Sequence, residues 1–136
     1  MADMRREFSL PPEDLAFLDE MGWPWEAIRD GNQMWLLIHE YPVPDGYRIK
    51  ATSVALQLAT TYPEAQIDMA YFCPGLSRVD GRGIRQLADH HLDGKVWQRW
   101  SRHRTAQNPW QPGVDGLETH MLLVREWLVR ELRVAA

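Results

Sequence analysis

The chain has 136 residues, 45% of them hydrophobic and 25% charged, with one cysteine and a formal charge of −4. That is the composition of one ordinary globular domain, large enough to bury about 70% of its unfolded surface and to fold without a disulfide or a metal. The acid excess argues against a nucleic-acid partner, no apolar run approaches the ~20 residues of a membrane span, and a single thiol gains nothing from export, so a reduced, cytoplasmic protein is expected.

In chain order, residues 1–8 read as a loose tail and residues 9–136 as a single domain. Ser9-Leu10-Pro11-Pro12-Glu13-Asp14 looks like a helix start, with prolines in the first turn and acidic residues favouring the dipole. Leu10, Leu15, Phe17, Leu18 and Met21 then recur at helical spacing, and Gly22 stops a helix of about ten residues. Trp23-Pro24-Trp25 is a turn with two large aromatics. A strand over 25–30 reaches the tight-turn signal Asp30-Gly31-Asn32. A second strand runs from Gln33 to Tyr41. From Ala51 to Thr60, Val54, Leu56 and Leu58 alternate with Ser53, Ala55, Gln57 and Ala59, the period of a half-buried strand. Tyr62-Pro63 turns, and Ile67 to Phe72 is a fourth strand. Short connections favour an antiparallel meander over parallel crossovers.

The second half reads differently. Three glycines (Gly75, Gly81, Gly83) punctuate a loop, Ile84, Leu87 and Ala88 suggest a short helix, and Asp93-Gly94 ends it. Trp97 to Gly116 has weak periodicity and reads as a long irregular segment, of the kind that usually carries function. Gly116 to Val134 is an amphipathic helix whose face is Leu117, Met121, Val124, Leu128 and Leu132, widened by Leu123, Trp127 and Val129. That face is expected against the sheet.

Cys73, in the break Cys73-Pro74-Gly75 at a strand exit, invites two readings. A thiolate attacks acyl groups well and leaves easily. A buried cysteine is equally at home as a small apolar residue. His103, inside the aromatic segment, is a candidate base, or a surface histidine. His90-His91 tempts a metal reading, but neighbours on a helix point about 100° apart and no metal-ligand spacing is present. His39, within a strand, and His120, early in the last helix, read as structural. Asp80-Gly81-Arg82-Gly83 does not open a helix as a phosphate loop must. No cofactor or metal is expected.

The order of elements, with Tyr62-Pro63, the strand to Phe72, Cys73-Pro74-Gly75, Asp80-Gly81-Arg82 and Trp110-Gln111-Pro112, resembles the ubiquitin-conjugating-enzyme fold. The likeness is to a bacterial branch, the prokaryotic family E of ubiquitin-conjugating-like proteins, over about residues 9–132. That family pattern has Tyr-Pro, a strand, His-Pro-Asn, an Asp-Gly pair, the catalytic cysteine and Trp-x-Pro. Here Cys73 stands at the histidine of His-Pro-Asn and Gly75 at its asparagine. Gly83, Ile84 and Arg85 follow Asp80-Gly81-Arg82, where the usual cysteine belongs.

The resemblance implies an α+β fold with an N-terminal helix, a four-stranded antiparallel meander, a long active-site loop and a C-terminal helix. It implies a conjugating transferase in which Cys73 takes the C-terminus of a ubiquitin-like protein, as a thioester, from an activating enzyme of the ThiF type. A JAB-type peptidase is a further partner of the pathway. His103, and less strongly Asp80, would handle the acceptor's proton. Gly75, Trp100 and Asn108 are the expected substrate-binding residues, with backbone N–H groups around Gly75 and the Asn108 side chain as oxyanion donors. The alternative is the same fold without a working cysteine, a binding module for ubiquitin-like or activating-enzyme partners, with Trp23, Trp25 and the Trp97–Trp110 segment as docking surface.

Overall fold

The computed structural model describes residues 4–133. Helix α1 (Pro12–Met21) starts at Pro11-Pro12 and ends where Gly22, at φ 72°, bends its N–H back to Leu18 O. A left-handed residue is the ordinary way to close a helix, and only glycine adopts it without a Cβ penalty. Strands β1 (Trp25–Asp30), β2 (Gln33–Pro42), β3 (Ala51–Leu58) and β4 (Ala70–Cys73) form the expected antiparallel meander.

The four-strand expectation falls short by a hairpin. Residues expected as a short helix and the start of an irregular segment are β5 (Leu87–Leu92) and β6 (Lys95–Trp100). Leu92 pairs with Lys95, which leaves Asp93-Gly94 as a two-residue turn with φ 54° and 74°. Asp-Gly is a hairpin turn because both central residues must take positive φ. Beyond the turn, β6 adds to β4, giving one six-stranded antiparallel sheet in the order β1-β2-β3-β4-β6-β5.

Both faces of this sheet are covered. Val54, Leu56, Phe72 and Trp100 face a large core completed by α1 and by α2 (Leu117–Glu131). Leu117, Met121, Val124 and Leu128 of α2 are buried there, as the periodicity predicts. The end expected at Val134 lies outside the described residues. On the other face Ile28, Trp35, Leu37, Ala55, Tyr71, Leu92 and Trp97 make a second core. Ile28 of edge strand β1 and Leu92 of edge strand β5 can share a cluster because the sheet curls until its edges meet. There Asp93 N–H donates to Asp30 Oδ2 at 2.9 Å. The near-continuous apolar run of β2 serves both cores at once.

The described part of the expected tail is not loose. Glu7 N–H donates to Ala27 O at 2.7 Å, and Ala27 N–H donates to Arg5 O at 2.9 Å. Arg5 also reaches across to Asp93, with Nη2 at 2.7 Å from Oδ2, and so clasps the two edges of the sheet.

Candidate active site

Cys73 is the last residue of β4, half-buried, and followed by a cis bond to Pro74. Alternation along β4 sends Phe72 to the helix side and Cys73, with Tyr71, to the second core. The loop after it is fixed from several sides. Thr52 Oγ1 donates to Pro74 O at 2.8 Å. The Gln98 carboxamide accepts from Leu76 N–H at 2.8 Å and donates to Leu76 O at 3.0 Å, while Trp100 Nε1 donates to the same Gln98 oxygen. Gly75 suits this clamp, because a Cβ there would lie 3.1 Å from the Gln98 side chain and press on it.

The residues expected around the thiol are not gathered there. β4 and β6 are antiparallel, with Ala70 opposite Trp100, so the chain leaves β6 beside the start of β4 and not beside its Cys73 end. His103 accordingly pairs with Asp68, Nδ1 to Oδ1 at 2.9 Å. The length of β4, about 10 Å at the strand rise, separates that pair from Cys73. Asn108 belongs to the same exposed segment and accepts from Arg104 Nη1 at 3.3 Å. That segment folds back on the lead-in to β4, where Trp110 Nε1 donates to Pro63 O.

Trp100 is completely buried, T-stacked on Phe72, and is core and not docking surface. Trp97 is buried likewise. Trp23 is wedged between Phe17 and Tyr41, and Trp25 lies under the Arg6 guanidinium. Asp80 is engaged by Arg82 N–H and by the buried Arg78 guanidinium. Those contacts, the Arg82 N–H foremost, hold its carboxyl below the usual range, which makes it a weak proton acceptor. Of the N–H groups around Gly75, that of Leu76 is committed to Gln98.

From Cys73 a row of polar side chains continues along the same face on β3, β2 and β1. Ser53 on β3 is the residue directly opposite Cys73. Opposed residues share a face, with Cβ atoms about 5 Å apart. The Ser53 hydroxyl lies 2.8 Å from His39 Nδ1 on β2, and His39 Nε2 lies 3.0 Å from Glu26 Oε2 on β1. Arg5 Nε and Nη2 donate to the two Glu26 oxygens at 3.0 and 3.2 Å. The Arg5 guanidinium, acting against burial and helped by His39, draws the Glu26 carboxyl down to about 2. An ionised carboxylate only accepts, so Nε2 of a neutral His39 carries the proton and Nδ1 accepts from the serine.

From the sequence, His39 reads as structural and Ser53 only as the polar side of an alternating strand. A partial signal exists. The two-residue turn Gly31-Asn32 fixes Glu26 opposite Leu37, which sets His39 two residues away on the same face. The long-range pairing of β3 with β4, which brings Cys73 into the row, has no local signal.

No curated protein and no solved structure matches the chain. Among the described residues no helix is long and apolar enough to cross a membrane. The family model described as prokaryotic E2 family E matches residues 10–131, nearly the whole chain, and the protein belongs to that family.

Proposed function

We propose that this chain is a conjugating transferase that accepts the C-terminal acyl group of a ubiquitin-like protein on Cys73, as a thioester, from an activating enzyme of the ThiF type. It then passes that group to an amine or hydroxyl acceptor. Membership of the E2 family supports a part in ubiquitin-like conjugation. The observation that carries the finer reading is the placement of the only thiol, half-exposed at the exit of β4, where the chain turns at Pro74. A JAB-type peptidase acting on the conjugates would complete the pathway, which is set in the cytoplasm.

The test is a non-reducing gel after mixing the protein with a ubiquitin-like protein, its activating enzyme and ATP. A shifted band that thiol removes, and that Cys73→Ala lacks, is the expected result. A band surviving thiol would move the acyl group to another residue.

A second reading is a binding module of the same fold. It draws on one observation, that neither His103 nor Asp80 is free to serve Cys73. No band in the presence of a demonstrably active activating enzyme would favour it.

A further inference from the structure

Leu122 interrupts the amphipathic pattern of α2. In the apolar run Met121-Leu122-Leu123-Val124 it alone faces solvent, 64% exposed, while the other three are buried. Beside it, on the helix side of the sheet, runs a groove between α1, α2 and β2. Met21, Trp23, Tyr41 and Met121 form its walls and Leu122 its rim. Met21 is a second exposed apolar side chain. Single exposed apolar residues are ordinary, but two along one apolar groove make a patch. The groove also holds one acid and one base of α2, Glu118 and Arg125, on either side of Leu122. They stand too far apart on the helix to pair with each other. Among the described residues neither has an ion-pair partner, and Arg125 donates a hydrogen bond to the Tyr41 hydroxyl.

We propose that this face is the interface of a two-fold dimer, and that the occupant of the groove is a second copy of the chain. Two α2 helices packed antiparallel, about an axis midway between positions 118 and 125, bring Glu118 of each protomer level with the partner's Arg125. The same rotation sets Leu122 level with the partner's Met121, so that each leucine enters the other protomer's groove. Knob and hole lie side by side on one chain, which is what a self-matching two-fold surface requires. Opposite charges at equal distances from the axis make the antiparallel packing attractive. A parallel packing sets Glu118 against Glu118 and Arg125 against Arg125, and is repelled. One helix and one groove per protomer bury little surface, so the dimer belongs to the weak, reversible class. The interface lies on the helix side of the sheet, whereas Cys73 faces the second core, so the proposal is independent of the thioester reading.

Sedimentation equilibrium of the full chain tests this from about 1 to about 300 μM, with reductant present so that Cys73 cannot link two chains. The mass is expected to rise from 15.9 kDa toward twice that value. Leu122→Glu, at a position exposed in the monomer, is expected to stay monomeric throughout. Glu118→Arg and Arg125→Glu are each expected to weaken the dimer at least about tenfold by setting like charges together. The chain carrying both exchanges is expected to recover it, which a dimer built on any other surface would not do. Circular dichroism confirms that each variant is folded. A chain that stays at 15.9 kDa overturns the proposal, as does a dimer that Leu122→Glu leaves intact or a double exchange as weak as either single one. A monomer that instead binds a ubiquitin-like protein, and loses that binding in Leu122→Glu, also overturns it and gives the groove to a different occupant.

Discussion

Arg78 on the loop after β4 is bound to Glu131 at the end of α2. Its buried guanidinium donates Nη1 to the Glu131 main-chain oxygen at 2.7 Å and lies 3.6 Å from the carboxylate. Nη2 reaches Asp80 at 2.7 Å and Leu132 O at 3.3 Å. One side chain thus supplies donors to the open carbonyls of a helix end and fixes the loop after β4 on it. Arg78→Met is expected to destabilise the fold by about 1–3 kcal/mol, the cost of leaving buried carbonyl acceptors without a donor, since Glu131 keeps Arg102 Nη2 at 3.2 Å. Urea unfolding measures it, and a loss under about 1 kcal/mol, the worth of an exposed pair, would show the loop held by other contacts.

His120 predicts an acid-sensitive step. It is fully buried in α2, donates Nε2–H to Met69 O at 2.9 Å, and has no protein partner for Nδ1 among the described residues. Burial pushes its pKa down from 6.5 to about 4. The unfolded chain therefore binds this proton first. The contribution is complete above pH 6.5 and is lost as pH falls toward 4, about 3 kcal/mol in all and about 2 kcal/mol by pH 5. Glu26, depressed to about 2, acts in a separate window below pH 4.5. Asp14, raised by burial, works in the opposite sense. Denaturant midpoints at pH 7 and pH 5 should differ in the native chain and converge in His120→Gln, which keeps a donor for Met69. Equal pH sensitivity in both would place the effect elsewhere.

The elements legible in the sequence are those that local chemistry decides. Gly22, the amphipathic face of Leu117 to Leu128, and the alternation from Ala51 to Leu58 each specify an element by its own period or cap. Asp93-Gly94 is equally local, yet it reads as a helix end because Ile84, Leu87 and Ala88 suggest a helical face before it. The site is less legible for a different reason. Proximity to Cys73 depends on which strand lies beside β4 and in which register, and those pairings are non-local. His103 is near in the order of motifs and far in space, because β6 runs antiparallel to β4. Ser53 is 20 residues away in sequence and directly opposite in the sheet.

Gly75 predicts that an asparagine at that position will not fit without displacing Gln98. The space a side chain would enter is held by Gln98, whose Cβ, Cδ and Nε2 would all lie 3.1 Å from the Cβ of any substituent. Gln98 cannot swing aside without releasing Leu76 N–H and O and Trp100 Nε1. Gly75→Asn should cost about 1–3 kcal/mol, the usual range for an overpacked position. A thermal melt of the variant beside Gly75→Asn combined with Gln98→Ala checks the cause. If the carboxamide end of Gln98 is responsible, the cost of the asparagine is smaller in the Gln98→Ala background, and equal costs in both would rule that end out as the cause.

Cys73 and His103 give a paired prediction that separates the chemistry from the fold. Cys73 is half-buried at a strand end, packed only on the margin of the second core, so Cys73→Ala removes one sulfur from a site open on one side. Its cost should stay near about 1 kcal/mol, well under the roughly 2–5 kcal/mol of a large side chain truncated in a closed core. His103 is exposed, and its pair with Asp68 is a surface ion pair worth at most about 1 kcal/mol. His103→Ala should therefore leave both stability and the thiol-sensitive band essentially intact, while Cys73→Ala abolishes the band with the fold preserved. A His103→Ala protein that folds and yet forms no thioester would return that histidine to the reaction. It would require the segment after β6 to close over the Cys73 end of the sheet when a partner binds.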